Sequence, residues 1–157
     1  MPSRRELIQM DDDEIQTFLD EERVLNVATI GPTGHPHVVA MWYALVDREL
    51  VFWTFGKSQK VANLRRDPKI TGLVEAGDDY AELRGVEVTG TARLIEDPDE
   101  VLGLGLAVSR RYQGDVMEQG GEDAVNFIAQ QARKRIGVAI VPERFVSWDH
   151  RKLDVAY

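Results

Sequence analysis

The residues best suited to chemistry lie in a short segment that begins at Gly56 and ends at Pro68. A glycine turn followed by Ser58 and a helix presents unpaired backbone N–H groups and the positive end of the helix dipole. Lys57 and Lys60 add ammonium groups, which bind phosphate as point charges. The segment therefore predicts a seat for an anionic group, here called the anion seat, with Ser58 and Lys60 at its centre.

Basic residues are concentrated around the anion seat. Positions 57 to 69 hold five basic residues and one acid, whereas the rest of the 157-residue chain holds 14 basic and 26 acidic residues. Such an island in a protein of net charge −8 predicts one localised anionic ligand rather than a broad polyanion surface. The alternative is a solvated helix, in which cations such as Arg65 and Arg66 only complement the C-terminal end of the helix dipole.

Aromatic residues form a second group, made up of Trp42, Tyr43, Trp53 and Trp148. Trp42 and Trp53 lie on neighbouring predicted strands that lead into the anion seat. A planar ligand with a phosphate tail would lie across these strands with its tail at Lys60. The alternative is that these aromatic side chains only pack in a core or an interface.

Three histidines are the remaining candidates for a site. His35 and His37 share one face of a strand, as positions i and i+2 do, and His150 would be a third metal ligand. Cysteine is absent, and no carboxylate has a spacing that completes such a site. We predict no metal site. Nor do we predict nucleic acid as a partner, because binding a phosphate backbone requires a net basic face.

Composition bounds the class of protein. A chain of 157 residues with 43% apolar and 29% charged residues is typical of one globular domain, here predicted over residues 1–157. No apolar run approaches the roughly 20 residues of a membrane span, and the N-terminal region carries three consecutive aspartates at 11–13. We predict a cytoplasmic protein that has no membrane partner.

Strand signals dominate the elements that must position these residues. Turn clusters separate short β-type runs, which favours a small antiparallel barrel over a parallel βαβ sheet. The predicted strands cover residues 24–30, 36–46, 50–55, 70–76, 81–95, 136–141 and 145–148. The predicted helices cover residues 11–22, a short stretch before Pro68, 98–112 and 122–134, with a glycine-rich loop at 114–121.

Several segments, in the right order, resemble the pyridoxamine-phosphate-oxidase-like split-barrel family. The resemblance implies a mainly β, six-stranded antiparallel split β-barrel with a few peripheral helices. It also implies a homodimer that holds a flavin or deazaflavin at its interface. The segments that carry the resemblance are 27–30, 34–38, Trp42, the run Lys60-x-x-Asn63-Leu64-Arg65-Arg66-Asp67-Pro68, and 146–148.

The resemblance also implies which residues hold the cofactor. Ser58 and Lys60 would hold its phosphate, and Thr54 would lie beside its ring. The backbone around the segment from Ala40 to Trp42 would line that ring. The full predicted set of cofactor-binding residues is Ala40, Met41, Trp42, Thr54, Lys57, Ser58, Lys60, Asn63 and Trp148.

Two departures place the chain nearer to an actinobacterial branch that resembles enzymes using the deazaflavin coenzyme F420. Gln59 stands where the oxidase has a second base, and the tail from His150 to Leu153 lacks the Arg/His motif that grips pyridoxal substrates. We therefore expect coenzyme F420, whose oligoglutamate tail would meet the cations between Lys57 and Lys69. The alternative cofactor is FMN, which needs fewer charges.

The resemblance implies that the cofactor carries the chemistry while the protein supplies position and excludes water. The expected activity is hydride transfer to an electron-poor small molecule such as an enone or a quinone. No side chain need act as acid or base, which agrees with the scattered carboxylates. The alternative class is a non-catalytic protein that binds a flavin or haem.

Overall fold

A computed structural model describes residues 1–153, which form one antiparallel sheet with helices around it. The seven strands pair in the order β2-β1-β5-β6-β7-β4-β3. Their bounds are β1 Leu25–Ile30, β2 Pro36–Met41, β3 Ala44–Val46, β4 Glu49–Phe55, β5 Lys69–Ala76, β6 Arg84–Ile95 and β7 Arg135–Asp149.

Four α-helices and two short 3₁₀ turns accompany the sheet. The 3₁₀ turns, Tyr80–Glu82 and His150–Lys152, flank the outer ends of β6 and β7. Within residues 1–153, no helix is long and apolar enough to span a membrane. The helices are α1 Arg4–Leu7, α2 Asp12–Glu21, α3 Gln59–Arg66 and α4 Pro98–Ala132.

The connection between β2 and β3 closes the sheet into a split barrel. These strands form opposite edges of the sheet, yet only Trp42 and Tyr43 separate them in the chain. Because Met41 and Ala44 are three residues apart, their Cα atoms lie within about 11 Å even when the chain is extended. The sheet must therefore curl until its edges meet. The predicted split barrel is confirmed. Its strand number is seven rather than six.

The predicted strand at 36–46 breaks because Tyr43 turns inward. Its side chain is completely buried, and its hydroxyl lies within hydrogen-bonding distance of the carbonyl oxygens of Leu19 and Glu22 at the end of α2. The next strand then begins at Ala44 and pairs with β4. The aromatic anchor thus ends one edge strand and starts the other.

The two faces of β4 pack against different layers. Leu50 and Phe52 face the barrel interior, where they join the main core. Val51 faces outward with Trp53, and both pack with Leu104 of α4 in a second cluster. This alternation follows from the two-residue period of a strand. It decides below which site residues share a face.

The α2 helix covers the barrel interior from one end. It starts with a capping box in which the Asp11 side chain accepts from the backbone N–H of Glu14. The side chains of Ile15, Phe18 and Leu19, which sequence periodicity placed on one face, are buried in the main core. The predicted helix at 11–22 is therefore confirmed to within one residue at each end.

The final predicted strands are wrong in one respect, because 136–141 and 145–148 belong to the single strand β7. Pro142 lacks a donor and does not end the strand. The ladder instead shifts register opposite Thr89 and Gly90, which is a β-bulge. A Cβ at Gly90 would lie 2.0 Å from the carbonyl oxygen of Val141, so the close approach at the bulge requires glycine.

The predicted glycine-rich loop at 114–121 is also wrong. That stretch lies inside α4, whose backbone departs from helical angles only at Gln113 (φ −136°, ψ 40°) and Gly121 (φ 50°, ψ −124°). The stretch is largely exposed, and the buried residues of α4 lie on either side of it, at 101–109 and at Ile128. The helix therefore continues here although helix propensity disfavours glycine. The resulting bent helix lies over the outer face of β3, β4 and β7.

Candidate functional site

The anion seat forms where β4 ends and α3 begins. The Ser58 N–H donates to the Phe55 carbonyl at 3.0 Å, and the Gly56 N–H donates to the Lys134 carbonyl at 3.0 Å. Ser58 is the N-cap of α3, but its hydroxyl makes no capping bond. The Ser58 Oγ is buried and has no hydrogen-bond partner among the described residues. A buried hydroxyl without a partner is costly unless a ligand supplies one.

Lys60 lies in the first turn of α3 and points to the end of β4. Its Nζ donates to Thr54 Oγ1 at 2.9 Å. Burial lowers the pKa of the Lys60 ammonium, and the nearby charge of Arg135 lowers it further. A partly desolvated cation with a neutral partner is stabilised by an incoming anion. Lys60, Ser58 and Thr54 therefore form a group of donors suited to a phosphate oxygen.

Asn63 is completely buried one turn further along α3. Its Nδ2 donates to Thr29 Oγ1 of β1 at 3.0 Å, and its Oδ1 accepts from Gln59 Nε2 at 2.8 Å. These bonds attach α3 to the barrel. Asn63 thus fixes the helix that presents the anion seat.

Three cations of the predicted basic island have partners inside the protein. Arg65 forms an ion pair with Glu96, and Lys69 lies 3.9 Å from Asp67. Arg66 donates to the carbonyl oxygen of Ile30. Lys57, which is exposed, makes no ion pair among residues 1–153.

A second basic run lies beside the anion seat and was missed by sequence reasoning. It consists of Arg133, Lys134 and Arg135, and its central carbonyl accepts the Gly56 N–H. Three consecutive cations were visible in the sequence. Their proximity to the anion seat depends on the pairing of β4 with β7, which local patterns do not encode.

A cavity of about 490 Å³, here called the aromatic cavity, opens between α4 and strands β2 and β4. It contains Trp42 and Trp53, which were predicted to lie on neighbouring strands. Trp42 lies in the connection between β2 and β3, and β3 pairs with β4, which carries Trp53, so both side chains reach this cavity. The lining residues are Ala40, Met41, Trp42, Trp53, Val108, Ser109, Gln113, Phe127, Ile128, Gln131 and Arg135.

Trp42 is held in place by a stacked partner from α4. The Tyr112 ring lies 4.5 Å from it, with 10° between the ring planes. The Tyr112 hydroxyl accepts from the Tyr43 N–H at 3.1 Å and donates to the Arg23 carbonyl at 2.8 Å. Trp42 remains about half exposed (48%), so one side of the indole is open to a ligand.

Arg135 is the charged residue among those lining the aromatic cavity. Its guanidinium lies 4.7 Å from the Trp53 ring centroid and 4.4 Å from that of Phe55. The Nε atom is buried without a hydrogen-bond partner, and burial lowers the pKa of the Arg135 side chain. None of the ion pairs within residues 1–153 involves Arg135.

The predicted cofactor residues fall into three places: the aromatic cavity, the anion seat with α3, and the position of Trp148 on β7. Ala40, Met41 and Trp42 line the aromatic cavity, whereas the anion seat lies at the end of β4. Thr54 and Trp53 project to opposite faces of that strand, so Lys60 is not part of the cavity wall. Arg135 connects the two places, since it stacks on Trp53 and influences the pKa of Lys60.

Trp148 lies far along β7 from both places. Its partner in the ladder is Gly85, and a Cβ at Gly85 would lie 2.1 Å from the Trp148 ring. The indole therefore covers the Gly85 backbone. Within one protomer, Trp148 is not brought to the anion seat or to the aromatic cavity.

The histidines are dispersed. His35 and His37 belong to the β2 end of the sheet, whereas the His150 Nδ1 lies 2.8 Å from the Tyr80 carbonyl oxygen. Within residues 1–153, no group of three histidine, cysteine or acidic side chains is arranged to hold a metal ion.

Comparison with known families and solved structures shows which proteins this chain resembles. The pyridoxamine 5'-phosphate oxidase family matches residues 11–148. The crystal structure of the conserved hypothetical protein Rv2991 from Mycobacterium tuberculosis is 42% identical, with a TM-score of 0.90. The alignment covers 99% of this chain and 95% of that chain. No protein with a curated functional description matches the sequence.

Two further solved structures share the fold. A protein described as an F420 reductase is 27% identical with a TM-score of 0.62, over 83% of this chain and 94% of that chain. An FAD-binding protein from Mesorhizobium loti is 19% identical with a TM-score of 0.63, over 88% of this chain and 94% of that chain. The second likeness concerns the fold alone.

Proposed function

Since the chain belongs to the pyridoxamine 5'-phosphate oxidase family, we propose that it is an oxidoreductase dependent on the deazaflavin coenzyme F420. Its substrate would be an electron-poor small molecule such as an enone or a quinone. The likeness to an F420 reductase at 27% identity supports this proposal. So do the donors at the anion seat, which fit the phosphate of such a cofactor.

The observation that carries the proposal is the unpartnered Ser58 hydroxyl beside Lys60. Ser58 Oγ is buried without a partner, and the Lys60 ammonium is partly desolvated with only the Thr54 hydroxyl as its partner. A phosphate oxygen would satisfy both donors at once, at the start of a helix whose dipole also favours negative charge. Ser58, Lys60 and Lys57 would hold the phosphate.

The ring would lie along the segment from Ala40 to Trp42, at the wall of the aromatic cavity. A bound deazaflavin supplies hydride chemistry, which the twenty amino acids lack. The part of the protein is to orient the ring and to exclude water. The stacked pair of Trp42 and Tyr112 provides a rigid apolar wall for this task.

The charges that favour the deazaflavin over FMN are not the same residues that the sequence indicated. Arg65 and Lys69 have acidic partners within the protein, so they contribute less to an oligoglutamate tail. Arg133 and Lys134 are exposed beside the anion seat and would replace them. The two ion pairs are the observation that favours the alternative, an FMN-dependent oxidoreductase, since FMN needs only one phosphate seat.

Pyridoxamine phosphate oxidation is not the activity that we propose. The tail lacks the Arg/His motif that grips pyridoxal substrates, and its cations Arg151 and Lys152 bind groups within the protein. Arg151 forms a two-point contact with Asp149, through Nε at 2.9 Å and an amino nitrogen at 2.8 Å. Lys152 donates to the Gln9 carbonyl at 2.7 Å and to a carboxylate oxygen of Glu14 at 2.6 Å.

A homodimer completes the proposal. Val38 of the edge strand β2 is 60% exposed, and Phe145 of β7 is 41% exposed. These exposed apolar side chains on strands support the proposal of a dimer interface. A second copy would cover them and could bring further residues, such as the partner subunit's Trp148, to the ring.

The test is expression in a host that makes FMN but no deazaflavin, followed by absorbance spectroscopy and calorimetry. We expect a nearly colourless protein that binds added F420 more tightly than FMN. A protein purified yellow with stoichiometric FMN, and indifferent to added F420, would establish the FMN alternative. Turnover of reduced cofactor on addition of menadione separates an enzyme from a protein that only binds a flavin or haem.

A further inference from the structure

The charge inside the aromatic cavity is unusual because no acid balances it. Among the described residues that line the cavity, Arg135 carries the charge, and its neighbours are aromatic rings, aliphatic groups, one serine and two glutamines. A partly desolvated cation without a counter-ion is less stable in the ligand-free protein than one that is paired. Such a group becomes stabilised when a ligand brings a negative charge to it.

Arg135 is also held in a fixed position. Its guanidinium lies over two aromatic rings, those of Trp53 and Phe55, at 4.7 Å and 4.4 Å. Stacking of this kind restricts the side chain while leaving its donors in the plane of the guanidinium. The buried Nε has no hydrogen-bond partner. The residue is thus oriented in advance for an acceptor that the protein does not contain.

The walls of the cavity define the shape of the molecule that would bring this acceptor. Trp42 and Trp53 lie on the strand side, and Phe127 of α4 lies on the helix side, with 59% of its surface exposed. Aromatic walls favour a flat, conjugated molecule. The polar groups on the helix side are the neutral side chains of Ser109, Gln113 and Gln131.

We propose that Arg135 is the residue that determines substrate specificity, by binding a carboxylate or similar anionic oxygen on a planar substrate in the aromatic cavity. This inference rests on the proposed function and adds a substrate class to it, namely planar conjugated acids. The cofactor phosphate has its own donors at Ser58 and Lys60, on the other face of β4. Arg135 therefore remains available for the substrate.

A second cavity of about 490 Å³ provides the matched comparison. It lies between the β3–β4 hairpin and the start of α4, and its one arginine, Arg93, is 3.1 Å from the carboxylate of Glu49. The charge of Arg93 is thus balanced within the protein. Arg93→Gln removes a lining arginine from a cavity of similar size and serves as the control.

The test measures binding of an anthraquinone carboxylate and of the matching anthraquinone carboxamide by calorimetry. The two probes differ in charge and hardly in shape. We expect the wild-type protein to bind the carboxylate about 10- to 100-fold more tightly, as for one charge-assisted contact. Arg135→Gln should remove this preference and leave carboxamide binding unchanged, whereas Arg93→Gln should retain it.

Two outcomes would overturn the assignment. One is a wild-type protein that binds both probes equally. The other is an Arg135→Gln protein that loses both probes together with thermal stability, which would make the residue structural. If Arg135→Gln does not fold, Arg135→Lys keeps the charge but loses the planar fork. A selective loss of carboxylate binding in that variant supports the proposal, and an unchanged preference overturns it.

F420 titration of the same samples separates this inference from the proposed function. A wild-type protein that prefers the carboxylate but binds no F420 would defeat the proposed reductase and leave the role of Arg135 in place. A protein that binds F420 and reduces quinones without a charge preference would support the proposed reductase and overturn the role of Arg135. In the loaded enzyme, the preference should appear in KM rather than in kcat, since Arg135 acts on binding.

Discussion

The ammonium of Lys60 donates a 2.9 Å hydrogen bond to the hydroxyl of Thr54, and this contact joins the first turn of α3 to the last buried residue of β4. The contact matters because it leaves a desolvated cation with a neutral partner. Structural lysines are normally paired with acids when they are withdrawn from water. We therefore propose that Lys60 binds an anionic ligand.

Replacing Lys60 by Ala should weaken cofactor binding by about 1.5–3 kcal/mol, the range for a charge-assisted contact. Calorimetric titration with F420 measures the difference. Lys69→Ala is the control, because Lys69 is a neighbouring exposed lysine that lies near Asp67. Equal affinities of wild type and Lys60→Ala would remove Lys60 from the site.

Cofactor affinity should fall at alkaline pH earlier than an ordinary lysine would allow. Burial lowers the pKa of Lys60, so its charge is lost below the usual value of about 10.4. In the same window the unfolded chain binds more protons than the folded chain, and the stability of the ligand-free protein should therefore rise with pH.

Titrations between about pH 8 and about pH 10, together with urea unfolding, check both trends. The Lys60→Arg protein is the comparison, since arginine stays charged throughout this range. It should show neither trend. A wild-type affinity that stays flat across the window would contradict the assignment of Lys60.

Removing the Asn63 amide should destabilise the fold by about 1–3 kcal/mol, because a buried partner is left unsatisfied. Asn63→Ala deprives Thr29 of its 3.0 Å donor and Gln59 of its acceptor. Urea unfolding gives the free energy. In a double-mutant cycle, the double variant Asn63→Ala/Thr29→Val should be destabilised by less than the sum of the two single variants. Simple additivity would show that the bond contributes nothing.

Two glycines of α4 form a matched pair for testing the cavity wall. A Cβ at Gly105 would lie 2.5 Å from the Trp53 ring, whereas a Cβ at Gly103 meets nothing within 4 Å. Gly105→Ala should therefore destabilise the protein by about 1–3 kcal/mol through overpacking and should weaken quinone binding. Gly103→Ala should stabilise it by about 0.5–1 kcal/mol. Thermal unfolding of the two variants measures both effects. Equal shifts of the unfolding midpoint would contradict the tight Trp53 contact.

A charge on the β2 edge should dissociate the proposed dimer. Val38 is 60% exposed on an edge strand, and Val38→Lys would place an ammonium in the interface. Sedimentation should then show a monomer of 17.7 kDa. Val24→Lys alters a valine of similar exposure (48%) outside any strand and should leave the dimer intact. A wild-type protein that sediments as a monomer would defeat the homodimer.

Local patterns were sufficient for most elements of the fold. The strand alternation around Phe52, the acidic cap of α2 and the turn at Gly56 are each set by residues close together in the sequence. Arg135 could not be found in that way. Its role depends on a ladder that places it opposite Phe55, which lies 80 positions earlier in the chain.

The positions at which strands break also could not be predicted from local sequence patterns. Tyr43 ends a strand because the end of α2 supplies acceptors for its hydroxyl and Tyr112 supplies an acceptor for its N–H. Pro142 does not end one because β6 accommodates a bulge. Both outcomes are decided by partners that are remote in the sequence. Tertiary packing of this kind overrides local propensity.

The strand order has a consequence for synthesis of the chain on the ribosome. The β3–β4 hairpin carries the anion seat at its end, yet it joins the other strands of the sheet only through β7. The first half of the sheet, from β2 to β6, can pair as soon as residue 95 has emerged. The hairpin must wait about 40 residues longer, a few seconds at ordinary elongation rates. A nascent chain therefore completes the surroundings of its anion seat as the last part of its fold.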